Sequence, residues 1–175
     1  MTIADIVSQI KLLAHDSSLS DPQCYTFIDL AIRDINKHGY LSDQLVLDET
    51  VTVLSGTSVI NTAYEVAELV SASILNDNSI IKTKDGLALT SNVDEDTDVT
   101  ISYYRKFPFF DGADANNIIS DPYILVYGGT WQAMVFNMAP EAQLYQQKFV
   151  NRINDVMLQD SFVVFDNEAV NVKGI

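Results

Sequence analysis

Charge is scarce in this chain, and cysteine is nearly absent. Only 19% of its 175 residues are Asp, Glu, Lys or Arg, below the quarter usual in soluble domains. That leaves neutral surface of the kind a partner can cover. A single cysteine, Cys24, excludes an internal disulfide framework and a multi-cysteine zinc site; its place in a helical pattern reads as a small core residue. Basic residues number ten against 24 acidic ones, a net charge of −14. Such a surface repels a phosphate backbone, which argues against tight binding of DNA but not against DNA as a passing neighbour. Acidity that serves solubility alone is the plainer alternative. No run of about 18 apolar residues occurs, so no membrane span is expected. The opening residues lack a basic start and an apolar stretch, so no secretory signal is expected and synthesis in the cytosol is.

Catalytic and metal-binding patterns are missing too. His15 and His38 sit near predicted helix ends without ligands at metal spacing, which points to capping. There is no Gly-x-Ser-x-Gly elbow, and Gly128-Gly129 lacks the Lys and Ser/Thr of a phosphate loop. Asp94, Asp96 and Asp98 begin like a calcium loop, but Val99 and Arg105 stand where it needs Gly and Glu, so a solvated turn is expected. The reading is a non-enzyme with no catalytic residue, no metal and no cofactor.

What is present is a core-forming pattern, with 47% hydrophobic residues. Thr2, with Asp5 three residues on, caps a first helix whose apolar stripe is Ile3, Ile6, Val7, Ile10, Leu13 and Ala14. Asp21-Pro22 starts a second, with Cys24, Phe27, Ile28, Ala31, Ile32 and Ile35 buried and Gly39 as its stop. The two read as a helical hairpin. From Leu41 the pattern turns to strands. Leu45, Leu47, Val51 and Val53 share one face, and a turn at Ser55-Gly56-Thr57-Ser58 leads to Val59-Ile60 as a small hairpin. Residues 64–76 fit helix or strand, with flanking strands favouring strand. Asn76-Asp77-Asn78 makes a turn, and Lys84-Asp85-Gly86 joins a further hairpin. An alternating strand, Val99 to Phe107, follows the acidic turn Asp94 to Asp98.

After a loop from Pro108 to Ser120, Asp121 caps and Pro122 starts a third helix, with Ile124, Leu125, Gly128, Trp131, Gln132 and Val135 along one face. Two glycines inside it cost about 1 kcal/mol each against Ala and imply a close helix approach. Pro140 begins a fourth helix. The predicted fold is α+β: an antiparallel four-helix bundle with a small antiparallel β insertion between helices 2 and 3. The helices are expected over 3–14, 22–38, 122–138 and 140–158 and the insertion over 43–107, as one domain of residues 1–158. Residues 159–175 read as a C-terminal tail or arm, whose Phe162, Val163, Val164 and Phe165 add a strand to a sheet edge or reach a neighbouring chain; a frayed terminus is the plain alternative. The aromatic and basic cluster Tyr103, Tyr104, Arg105, Phe107, Phe109 and Phe110 reads as core packing or as an interface anchor.

The order of parts resembles the head-to-tail adaptor (connector, head-completion) proteins of tailed bacteriophages. The resemblance rests on Ile101-Ser-Tyr-Tyr-Arg-Lys-Phe107, Asn116-Asn-Ile-Ile119, Pro122-Tyr-Ile-Leu-Val-Tyr-Gly-Gly129 and Tyr145-Gln-Gln-Lys-Phe149, with the leading helix Phe27 to Asn36. Where such adaptors carry Leu-Pro, this chain has Asn61-Thr-Ala-Tyr64. The resemblance implies a virion protein of the head-tail junction, made in the host cytoplasm. It would be a homo-oligomer, a dodecameric ring, bound below the portal protein and docking the tail or a tail-completion protein. DNA would pass through without specific binding. Asp94, Glu95, Asp96 and Asp98 would face that channel. A tail-completion or terminator ring, or a small acidic partner-binding protein, are the rival readings.

Overall fold

The computed structural model describes residues 1–38, 41–74, 79–84, 86–110 and 119–170, and for residues 38, 74 and 159–170 the backbone alone. The chain divides into two compact units: Met1–Asp43 with Phe107–Ile175, and Gln44–Lys106.

The first unit is helical. Helix α1 (Ile3–Leu13) opens with a reciprocal capping box, in which Asp5 N donates to Thr2 Oγ1 at 3.2 Å and Thr2 N donates to Asp5 Oδ2 at 2.8 Å. This satisfies two orphan donors of the first turn and holds the Asp5 carboxyl below the usual range. The helix ends with His15 at φ +52°, where His15 N reaches Leu12 O and Asp16 N reaches Lys11 O. That is a Schellman closure with a histidine in the left-handed position. Helix α2 (Asp21–His38) is capped by Ser20: Ser20 N donates to Gln23 Oε1 at 2.8 Å and Gln23 N returns to Ser20 Oγ at 3.4 Å. Asp21 and Pro22 therefore lie inside the first turn instead of Asp21 forming the cap. Helix α3 (Pro122–Phe136) does begin on Asp121, whose side chain accepts from Tyr123 N. Helix α4 runs over Ala142–Val170.

Helix α3 packs against all three other helices. Ile124, Leu125, Val126, Gly128, Gly129, Thr130, Ala133 and Met134 are buried around much of its circumference, the pattern of a helix enclosed by others. Its two glycines explain how: a Cβ on Gly128 would stand 2.6 Å from Ala31 Cβ on α2 and 2.9 Å from the Phe149 ring on α4, and one on Gly129 would stand 2.5 Å from Ile10 Cδ1 on α1. Side chains would hold these helices apart. Polar atoms of α2 tie down the chain entering this unit after residue 106. Asn36 clamps the Phe107 peptide from both sides, Nδ2 to O at 3.1 Å and N to Oδ1 at 3.0 Å, and Asp29 accepts from Phe110 N.

The second unit holds two three-stranded antiparallel sheets. One has the order β1 (Leu45–Val53), β6 (Thr97–Arg105), β3 (Val66–Ile74); the other has β2 (Val59–Ile60), β5 (Gly86–Leu89), β4 (Ile80–Thr83). A shared core of Val51, Val53, Ile60, Val66, Leu87, Leu89, Val93, Val99, Ile101 and Tyr103 is buried between them. Strand β1 carries one bulge, between Val46 and Glu49, and β3 carries two. At the β1 bulge Asp48 sits at φ +52°, with its N donating to Ser102 Oγ at 3.1 Å.

Four expectations are corrected. An antiparallel four-helix bundle with a small β insertion does not describe the molecule: α3 is a hub enclosed by its neighbours, and the six strands are a compact unit of their own. The physical reason is that two sheets facing one another bury each other's apolar face, so the strands have a core of their own. Strand β1 does not form a hairpin with β2: it pairs with β6 along seven residue pairs, Leu45↔Tyr104 to Val53↔Thr97, while β2 pairs with β5. The turn at Gly56, φ +79°, thus leads from one sheet to the other. The backbone of 162–165 continues α4 instead of adding a strand, which keeps its hydrogen bonds local. The fourth helix also begins at Ala142, with Pro140 in the turn before it. Residues 66–74, open to either reading, form strand β3. The stop at Gly39, the turn at 76–78 and the loop residues 111–118 lie outside the described residues.

Candidate functional site

The aromatic segment, read as core packing or as an interface anchor, lies largely inside the subunit. Tyr103 points into the sheet core, and its hydroxyl donates to Glu49 Oε2 at 2.6 Å. Burial, then that hydrogen bond and the Glu49 charge, push its phenol well above the usual tyrosine range. Glu49 also accepts from Ala63 N at 2.8 Å, so one carboxylate joins β1, β6 and the segment before β3. Phe107 and Phe110 are buried in the helical core, Phe110 against the Tyr25 ring at 5.1 Å between centroids. Tyr104 and Arg105 are half-buried, the Arg105 guanidinium lying over the Tyr64 ring at 4.5 Å. Only Phe109 of the six stands free, 62% exposed. The side chains of Phe162, Val163, Val164 and Phe165 lie outside the described residues.

The four acidic candidates are all exposed. They form a pinned turn at the start of β6: Ser55 N donates to Asp96 Oδ1 at 2.8 Å, Ser55 Oγ to Asp94 O at 2.7 Å, and Thr52 Oγ1 to Asp98 Oδ1 at 2.6 Å. No ion pair among the described residues reaches any of them. Opposite charge gathers at the other end of β6. Lys106 follows the strand's last residue, and the β4–β5 hairpin brings Lys82 and Lys84 beside it, around a shallow groove of about 300 Å³. Lys106 pairs with Glu65 at 2.5 Å, Lys82 Nζ donates to Ala67 O, and Lys84 is exposed. A second open groove adjoins it, sharing Glu65, Thr83 and Gly86 and floored by Leu87. Lys106 stands in the aromatic segment, but its meeting with Lys82 and Lys84 is not legible in the sequence, because the three are spread over 25 positions; only the hairpin signal at 84–86 bears on it.

On the helical unit, Tyr123, Tyr127 and Tyr145 form a ladder across α3 and α4 with centroid spacings of 6.0 and 6.5 Å, and Lys148 lies 4.6 Å from the Tyr145 ring. The α3–α4 turn exposes several apolar residues. Phe136 is 62% and Met138 92% exposed, with Val135 and Leu144 also exposed. Met138 sits at φ +54°, with its N on Val135 O and Ala139 N on Met134 O. This is a second Schellman closure without glycine. The readable signal was the missing glycine where α3 had to stop, two residues before the predicted end.

Among the described residues, no three His, Cys, Asp or Glu side chains converge as metal ligands, and no helix is long and apolar enough to cross a membrane. In comparison with known proteins, no family model matches the chain and no curated protein matches it.

Proposed function

We propose that this protein is a structural part of a tailed-phage virion, a head-to-tail adaptor that joins its copies in a ring below the portal, extends the DNA channel and docks the tail. One observation carries the reading. Met138 occupies a left-handed position that costs a side-chain-bearing residue about 1–2 kcal/mol, and the residue is 92% exposed. Glycine would close the same turn without that cost. A flexible apolar side chain held out in solvent on a strained backbone, beside exposed Phe136, is what a docking knob requires, since it adds little packing within its own subunit. Support also comes from the resemblance, whose residues Ile101–Phe107 and Pro122–Gly129 include much of the central strand β6 and the hub helix α3. The net charge of −14 suits a wall past which DNA slides. The six strands favour a second reading, a terminator ring; the two helices preceding the sheets favour the adaptor.

The test is Met138→Gly, alone and with Phe136→Ser, in electron microscopy and native mass spectrometry with a purified portal ring and with tails. Met138→Gly is expected to raise stability by about 1 kcal/mol while weakening capture by portal or tail about tenfold or more. A wild-type chain that binds neither, or variants that bind as wild type does, would reject the reading.

A further inference from the structure

The sheet unit is electrically polar along β6. Four of the chain's ten basic residues, Lys82, Lys84, Arg105 and Lys106, lie in or beside β4 and the end of β6. Asp94, Glu95, Asp96 and Asp98 lie at its start. Eight residue steps at about 3.3 Å each separate the two ends by roughly 26 Å. The acidic turn is held in shape by Ser55 and Thr52, and the Asp94 and Glu95 carboxylates accept none of those bonds. At the far end, Glu65 is the single described carboxylate lining the lysine groove.

Two bodies of net charge −14 repel in most orientations. One orientation is attractive: the groove of Lys82, Lys84 and Lys106 on one copy facing the acidic turn of the next. We propose that this groove is the docking site for the Asp94–Asp98 turn of a second copy of this chain. The contact is heterologous, one surface meeting a different surface, so every copy keeps one end of each sign free for a further neighbour. Repetition then gives a ring if the rotation closes and a filament if it does not. Asp94 and Glu95 thereby belong to a subunit contact instead of a channel wall. The ring of the proposed function gives this contact its purpose, and the charge pattern alone gives its geometry.

Charge reversal at each end tests it. Lys84→Glu with Lys106→Glu reverses the groove; Asp94→Lys and Glu95→Lys reverse the turn when joined to Asp96→Asn and Asp98→Asn, whose amide oxygens can still accept from Ser55 and Thr52. Association of the full chain is read by sedimentation velocity, and by carbodiimide crosslinking of isotopically mixed copies. Wild type is expected to yield crosslinks from Lys84 or Lys106 to Asp94 or Glu95 of another copy, and to associate about tenfold more weakly as salt rises from roughly 0.05 to 0.5 M. Each reversed protein alone loses about tenfold or more in association. An equimolar mixture of the two recovers it, because reversed ends meet each other and native ends meet each other; a chain carrying both sets of substitutions recovers it as well. Thermal unfolding of each variant checks that it folds. Absence of those crosslinks in wild type at low salt overturns the proposal, as does failure of the mixture to recover. A groove variant that loses binding to a DNA duplex while associating normally overturns it too. Portal capture is scored separately: normal capture with no effect of the reversals rejects this contact and leaves the adaptor, whereas the contact without portal capture does the reverse.

Discussion

Gly128→Ala asks whether the hub helix is held by close approach. The added Cβ would lie 2.6 Å from Ala31 Cβ and 2.9 and 3.0 Å from two carbons of the Phe149 ring. Carbon contacts settle at about 3.5–4.0 Å, so α2 and α3 must part by about 1 Å. Ala31 cannot yield, because its Cβ is fixed to the α2 backbone, and the Phe149 ring is fully buried. Overpacking of this kind costs about 1–3 kcal/mol, and two rigid contacts place it at the upper end. Replacing a mid-helix glycine returns about 1 kcal/mol. The expected net loss is about 2 kcal/mol, a shift of roughly 30-fold in the folding equilibrium. Gly129→Ala is the internal control: its nearest neighbour is Ile10 Cδ1 at 2.5 Å, the end of a side chain that can turn, so propensity gain and crowding nearly cancel, to within about 1 kcal/mol. Urea unfolding followed by fluorescence reads this unit selectively. Trp131 is the chain's one tryptophan and its ring lies 5.8 Å from that of Phe149. A Gly128→Ala protein as stable as wild type, or a Gly129→Ala protein hurt more than its neighbour, would refute the argument.

Other outcomes follow from the sheet unit and the first turn. Tyr103→Phe should cost about 1 kcal/mol by losing the hydroxyl that meets Glu49. It should also change the alkaline limb of stability: with the folded phenol raised above its ordinary value near 10, wild type keeps this contribution below about pH 10 and loses it as pH climbs, whereas the Phe variant lacks that loss; denaturant unfolding by circular dichroism from pH 8 to 11.5 distinguishes them. Asp48→Ala should lose about 1 kcal/mol, because Ala gives up the bond from Ser102 Oγ and the local polar contacts that let Asp tolerate the left-handed position, and Asp48→Gly should lose less, in the same assay. Asp16, lowered by Ser18 and then Asn137, supports the α1–α2 turn fully above the ordinary carboxylate range and loses that contribution as pH falls below it; Asp16→Asn should flatten the fall in stability seen as pH drops through about 4 and below.

Local chemistry carried much of the fold. The cap at Thr2, the cap at Asp121, the hairpin around Gly86 and the close approach at Gly128-Gly129 could all be read because each depends on residues adjacent in the chain or on the absence of a side chain. What could not be read depends on pairing at a distance. Alternation placed Leu45 and Leu47 with Val51 and Val53, yet Leu47 is 66% exposed and Val46 packs on the core. The extra residue at the Asp48 bulge flips the parity of everything before it. Nor does an apolar run state which sheet will receive it, so adjacency in the chain suggests a β1–β2 pair that does not form. At the candidate surfaces, composition drew attention to aromatic residues that the cores absorb. The exposed features came from a missing glycine at Met138 and from lysines made neighbours by a folded hairpin.

The irregular outer strands of the larger sheet have a consequence for crowding. Among the described residues no strand pairs with the outer side of β1 or β3, and such free rims tend to recruit foreign strands and seed fibres. Three inserted residues along the two rims break the even spacing of donors and acceptors that a recruit would need. Many copies can therefore be concentrated at one place without their sheets fusing into aggregate.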